Sequence, residues 1–364
     1  MKILINRSDA FGDALLTSPM AKMIKNHFPN AHITFLVSPK SKDLFSHHPY
    51  IDEVKIYHRH LSLASKFKQI FTIFSEVQPT HYFYAGGGYL PNFVAWLKFI
   101  SFRGGLVSRW HTFLFLNRGV RQKRSMVAMH EVEYNLNLLA PMGINYHFSD
   151  RLKYVPEIVL DENEKQKICY DFSDTLKKEK MNSDLPYIFI HPGMGPHSLN
   201  WSSRNYGRLI LKLEQKFPKR FNFVISHTPS DYYSLQGVKD VLEKKENAFL
   251  NDRVYFFNGQ IKGLRHLLNV LSQAKLYIGP STGMTHAAAT LSVPVVALFS
   301  PIKAQSAQRW SPITQLPQKL RISVPDVICG EVLKCAERAC PYYECMGKIE
   351  VDDIVKNAVA VLEI

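Results

Sequence analysis

The chain has 364 residues, 46% of them hydrophobic, and a formal net charge of +14, a size that fits one large or two medium domains with ample apolar material for a core. No run of 18 apolar residues occurs, and the short apolar start at Lys2–Asn6 lacks the length of a signal-peptide core, so a cytoplasmic protein without a helical membrane span is expected. The charge is uneven: residues 1–155 carry 19 Lys+Arg against 9 Asp+Glu, which points that half toward an acidic partner or an anionic membrane surface.

In chain order, Lys2–Asn6 reads as a strand. Asp13 to about Phe28 has the apolar spacing of a helix, with Leu15, Leu16, Met20, Met23 and Ile24 on one side. His32–Val37 and Glu53–Tyr57 are strands, Leu61–Val77 is a helix, and His81–Tyr84 is a strand before Gly86-Gly87-Gly88. Strands alternating with helices predict a parallel sheet of Rossmann type, in which ligands bind at the C-terminal ends of the strands. The turn there is Arg7-Ser8-Asp9-Ala10-Phe11-Gly12-Asp13, which brings Arg7, Asp9 and Asp13 to that edge. A helix cap is the other reading of Asp9 or Asp13. The glycines do not form G-x-G-x-x-G, so a nicotinamide or flavin site has little support.

Residues 89–127 hold Lys98, Arg103, Arg109, Arg118, Arg121, Lys123 and Arg124 without one Asp or Glu, interleaved with Trp96, Phe99, Phe102, Trp110, Phe113 and Phe115. Such a stretch suits a membrane surface, an anionic lipid-linked acceptor or a nucleic acid. A solvated face on buried elements is the remaining reading. No helix-turn-helix, zinc-finger or RNA-recognition signature accompanies the charge, so no nucleic-acid partner is expected.

A domain boundary is expected within 156–185. Asp161 to Lys180 is helix-compatible, and Tyr187–Ile190 opens a second series of strands. His191-Pro192-Gly193 follows at the binding edge. Trp201 to about Phe217 is a helix, Phe221–Ser226 a strand, and His227-Thr228-Pro229-Ser230-Asp231 the next edge turn. Val254–Phe257, Leu276–Ile278 and Val293–Phe299 complete the alternation. Between the last two, Gly279-Pro280-Ser281-Thr282-Gly283 enters a helix from Met284 to Leu291, with His286 one turn in. Unsatisfied N–H groups and the helix dipole favour a phosphate at such a turn, and Ser281 and Thr282 add hydroxyls. An ordinary capped βα turn has the same residues.

Four stretches carry a resemblance to glycosyltransferase family nine, the heptosyltransferase-like enzymes. They are Arg7, Gly12, Asp13, Leu15 and Pro19; His130-Glu131-Val132 with Leu136, Leu138, Leu139 and Gly143; His191-Pro192-Gly193 with Trp201; and Gly279 to Pro301. The resemblance implies a GT-B fold: an acceptor-binding Rossmann-like domain over 1–155, a linker region over 156–185, a nucleotide-sugar-binding domain over 186–350, and a terminal helix over 351–364. It implies an inverting enzyme of lipopolysaccharide or related glycan assembly, with Asp13 as general base. His191, Gly193, Asp231, Ser281, Thr282, Gly283 and His286 would bind the donor, and Arg7, Arg118, Arg121 and Lys123 the acceptor. The acceptor would be an anionic lipid-linked glycan at the inner face of the cytoplasmic membrane. Three positions depart from the family's heptose-using members, which carry Asp at Ser281, Lys at Leu199 and Glu at Asp231. Another sugar nucleotide, or a non-catalytic binding protein, is the alternative.

No Asp-x-Asp occurs, so neither metal nor other cofactor is expected to take part in transfer. Cys329, Cys335, Cys340 and Cys345 cluster near the end and read as a zinc or iron–sulfur site, a redox pair, or plain thiols.

Overall fold

A computed structural model describes residues 1–195, 198–330, 332 and 334–363. It divides into two compact units, Met1–Val159 and the chain from Leu160 onward.

The first unit is built on β1 (Lys2–Arg7), β2 (His32–Val37), β3 (Glu53–Ile56), β4 (His81–Gly86), β5 (Phe102–Val107) and β6 (Arg118–Arg121). All neighbours are parallel, in the order β3-β2-β1-β4-β5-β6. The central strand carries three consecutive apolar residues, Ile3, Leu4 and Ile5, all fully buried, as expected where helices cover both faces of a sheet. One core layer joins Leu4, Leu36, Tyr82 and Tyr84 to Ile70, Phe74, Val94 and Ala95 of the helices Leu63–Val77 and Leu90–Leu97.

The second unit repeats the plan with β7 (Tyr187–Ile190), β8 (Asn222–His227), β9 (Val254–Asn258), β10 (Leu276–Pro280), β11 (Val295–Leu298) and β12 (Leu320–Ser323), in the order β12-β11-β10-β7-β8-β9. Both sheets reverse direction between their first and fourth strands, β1/β4 and β7/β10. That reversal opens a crevice beyond the carboxyl ends of the strands, the ligand position of doubly wound sheets.

One detail differs from the expectations. The first helix is interrupted, as Phe11–Leu15 and Pro19–His27, because Pro19 has no N–H to continue the ladder and starts the second helix in its first turn. Within the segment 156–185 lies helix Glu162–Lys178, where Phe172 packs on Tyr187, Tyr255 and Phe257, and Glu164 is paired with Arg265. The last helix, Val351–Leu362, contributes Ile354, Ala358 and Val361 to the core of the second unit. Ile364, the end of the expected terminal-helix range, lies outside the described residues.

Candidate active site

In the first unit the binding edge is organised by one buried guanidinium. Arg7 ends β1, at the point where its register with β4 shifts, and its side chain turns back over the sheet end. Nη1 donates to the Ala85 carbonyl at 2.6 Å, Nε to Asp9 Oδ1 at 2.9 Å, and Nη2 to Asp13 Oδ1 at 2.6 Å. Nη2 also lies 3.6 Å from Glu131 Oε1, and Arg124 Nη1 reaches the same carboxylate oxygen at 2.5 Å. Two arginines and three carboxylates thus share one site.

Asp13 is not the cap of its helix. Ala10 holds the N-cap position, and Asp13 stands in the first turn, where the helix dipole favours its charge. Its side chain keeps about a fifth of its surface open. Oδ1 takes the Arg7 bond, while Oδ2 accepts no hydrogen bond among the described residues. Burial pushes the Asp13 carboxyl above the usual carboxylate range; Arg7 opposes that shift, and Asp9 and Glu131 add to it. Burial works against the charge of Arg7, but Asp13, Asp9 and Glu131 outweigh it and hold the guanidinium protonated.

Helix Glu131–Leu136 supplies the rear wall. His130 caps it through Nδ1, and Glu133 reaches back to the His130 N–H. Asn135 Nδ2 donates to Leu16 O and to Thr17 Oγ1, both at 3.1 Å, and Thr17 Oγ1 donates to Asp13 O at 2.8 Å. This ties the Asp13 helix to the Glu131 helix. Gly87 closes the floor from β4: its φ is +102°, and a Cβ there would stand 2.4 Å from Ser8 Oγ, so only glycine fits.

Arg118 and Arg121 open and close β6, and both are exposed. Arg121 stands on the same sheet edge as Arg7, three strand spacings or about 14 Å away. It lies 5.1 Å from the Phe113 ring centre. Lys123 follows on the exit from that strand. Arg124 is a correction to the reading of 89–127 as one basic face, because it is buried against Glu131. Arg103 also turns inward, donating through Nε to Phe115 O at 2.8 Å and through Nη1 to Ile100 O.

In the second unit, His191, Gly193 and Asp231 come together at the ends of β7 and β8. His191 Nδ1 lies 2.8 Å from Ser226 Oγ, and burial pushes the imidazole below its usual range against the opposing pull of Asp231. Asp231 Oδ2 accepts from Thr228 N at 2.8 Å and Thr228 Oγ1 at 2.7 Å. A Cβ on Gly193 would meet Asp231 Oδ1 at 2.3 Å, so this glycine is what lets the acid lie against the loop.

At the β10 end, Ser281 N–H is spent on Leu298 O at 3.0 Å, and Thr282 is the N-cap of helix Gly283–Thr290. The N–H groups of Gly283 and Met284 fall in the first turn, which has no intrahelical acceptors. His286 is buried in this helix. Trp201 is structural in this chain: it is buried, and Nε1 donates to Ile349 O at 2.9 Å, pinning the segment before the last helix. Leu199 packs beside the same core. Among the described residues no disulfide joins the four clustered cysteines, and Glu337 N–H and Tyr342 N–H donate to Cys335 and Cys340 sulfur at 3.3 Å.

The sequence presents Glu131 only within the His130-Glu131-Val132 stretch and Arg124 only as one cation of the basic stretch 89–127. The missed signal is that Glu131 is the first acid after Glu76, so it closes a long basic stretch in which cations outnumber acids.

Comparison with known proteins bears on the whole chain. The model of "Glycosyltransferase family 9 (heptosyltransferase)" matches residues 90–331. Lipopolysaccharide heptosyltransferase 2 of Salmonella typhimurium is 21% identical over 308 residues, covering 83% of each chain. Lipopolysaccharide heptosyltransferase 3 of Escherichia coli is 22% identical over 320 residues, covering 84% of this chain and 83% of that one. Among solved structures, ADP-heptose lipopolysaccharide heptosyltransferase II of E. coli superposes with a TM-score of 0.76 at 18% identity, over 100% of this chain and 99% of its own. A family 9 glycosyltransferase from Veillonella parvula gives 0.76 at 16% identity, over 100% and 97%. At such identities the superpositions speak for the fold, which is GT-B with two Rossmann-like units. The family match covers well over half of the sequence: the chain belongs to glycosyltransferase family 9 and is a glycosyltransferase.

Proposed function

We propose that the protein transfers a sugar, heptose from ADP-heptose, onto an anionic lipid-linked glycan acceptor of the lipopolysaccharide core type, with inversion and without a metal. The observation that carries the reading is the Asp13 carboxylate, held by Arg7 through one oxygen with the other left to accept a proton. Inverting transfer needs a base for the acceptor hydroxyl as it attacks the anomeric carbon, and Asp13 serves as that base. Its raised proton affinity suits the role, since a stronger base takes the proton more readily.

The donor belongs to the second unit in this reading. His191, Gly193 and Asp231 bind the nucleoside part, and Ser281, Thr282, Gly283 and His286 face the diphosphate. The N–H groups of the Gly283–Thr290 helix take up charge as the diphosphate departs, the task that a metal performs elsewhere. Arg7, Arg118, Arg121 and Lys123 attract the anionic acceptor, and the basic face of the first unit brings the enzyme to the inner surface of the cytoplasmic membrane.

Ser281 and Leu199 favour a second reading, a donor other than ADP-heptose, because both replace charged residues of heptose-using relatives. Turnover and thermal stabilisation screened against ADP-heptose and against GDP-, UDP- and other ADP-sugars decide between them. Selective turnover of ADP-heptose is expected. Turnover with a hexose donor alone would replace it.

A further inference from the structure

The helices Leu63–Val77, Leu90–Leu97 and Trp110–Phe115 pack side by side on the first unit, and their outer surface is not that of an ordinary solvated face. A groove of about 760 Å³ runs between them, lined by Leu63, Phe67, Tyr89, Phe93, Trp110 and Phe115 among others. This lies within the ~300–1,000 Å³ of ligand pockets. The rings form a continuous series: Phe67 to Phe93 at 6.3 Å between centres, Phe93 to Phe115 at 5.5 Å, Phe115 to Trp110 at 6.3 Å, and Trp110 to Tyr89 at 6.2 Å. Within its lining Trp110 is 67% exposed, Leu63 59% and Tyr89 42%, so large apolar side chains stand open to solvent at one place.

The charge around the groove is of one sign. Between residues 54 and 130, besides the inward-turned Arg103 and Arg124, nine Lys and Arg stand against a single acid, Glu76, which is occupied by Lys55 at 2.9 Å. Lys98 lies 3.8 Å over the Phe71 ring, and Arg121 lies over Phe113, so apolar and cationic groups alternate at the rim. Aromatic rings beside cations match the boundary between hydrocarbon and anionic headgroups. A second protein with an acidic rim would satisfy the charge, but it does not account for a groove in which five of the eight lining residues are aromatic and the other three aliphatic.

We infer that the groove takes one hydrocarbon chain of an anionic membrane lipid while the flanking lysines and arginines hold its headgroup. The biological sense rests on the proposed lipid-linked acceptor, but lipid uptake itself is measured without any sugar nucleotide. A chain seated among the rings fixes the lipid relative to Arg121 and the sheet edge, which surface attraction alone does not.

The test uses the full chain with dodecyl phosphate below its micelle concentration, and butyl phosphate as the headgroup control, by titration calorimetry. Dodecyl phosphate is expected to bind at least tenfold more tightly than butyl phosphate. Ala64 is exposed at the groove wall, so Ala64→Phe fills the groove without touching the core. It should abolish that preference at unchanged Tm. Flotation with phosphatidylglycerol vesicles, but not with phosphatidylcholine vesicles, should retain the parent protein. Equal binding of both phosphates, or a preference untouched by Ala64→Phe, overturns the inference. So does a dimer in solution that Ala64→Phe dissociates, since the groove then holds a second copy. Chain-dependent binding by a protein that transfers no sugar would keep the inference and sink the proposed function; transfer without chain-dependent binding would do the reverse.

Discussion

Arg7 Nη2 lies 2.6 Å from Asp13 Oδ1, and the same guanidinium nitrogen is 3.6 Å from Glu131. The proton affinity of Asp13 is therefore set by burial, by Arg7 pulling it down, and by Asp9 and Glu131 pushing it up. Glu131→Gln removes one negative neighbour with little change of shape. The acid limb of the kcat/KM profile, which reports the base in the free enzyme, should then move to lower pH by up to about one unit. A limb that stays in place, or moves up, would separate Glu131 from the base.

Transfer should survive EDTA. The chain has no Asp-x-Asp, and the N-terminus of helix Gly283–Thr290 carries the charge-stabilising role in this account. Activity that disappears with chelator and returns with Mg²⁺ or Mn²⁺ would contradict it.

Gly193→Ala should act on the donor side alone. The added methyl meets Asp231 Oδ1 at 2.3 Å, so the acid or the loop must shift. We expect the donor KM to rise roughly tenfold, the scale of about 1.4 kcal/mol, with acceptor KM unchanged. Equal donor KM for variant and parent would show that Asp231 does not touch the donor.

His48 gives the first unit a pH-dependent stability. Burial holds its imidazole down at about 4, with Glu157 opposing and Lys22 adding to the shift. An unfolded chain binds this proton near pH 6.5, so between about 6.5 and about 4 the unfolded state carries more protons and stability falls as pH falls. The Tm should drop over that window, and His48→Gln should flatten the drop. A variant with the parent's pH slope would assign the effect to other buried histidines, of which His111, His191 and His266 are shifted the same way.

Much of this architecture is legible in the residues. Ile3-Leu4-Ile5 and Tyr187-Ile188-Phe189-Ile190 announce buried parallel strands, and Gly279 to Gly283 announces the turn after one. The strands β5, β6 and β12 are not legible, because Arg103, Arg118, Arg121 and Arg321 break their apolar pattern, and β6 and β12 are only partly covered edges. The Arg7–Asp13 contact follows from spacing around one turn. The participation of Glu131 and Arg124 does not, since it depends on how a distant helix is tied down through Asn135.

The account turns on Asp13 as the base, and one comparison tests it most directly: single-turnover rate and nucleotide affinity of Asp13→Asn beside the parent. The amide keeps the shape but cannot take the proton. The account predicts a rate at least roughly 100-fold lower, with nucleotide Kd unchanged within twofold. A near-native rate would contradict it and leave Asp13 as a structural partner of Arg7.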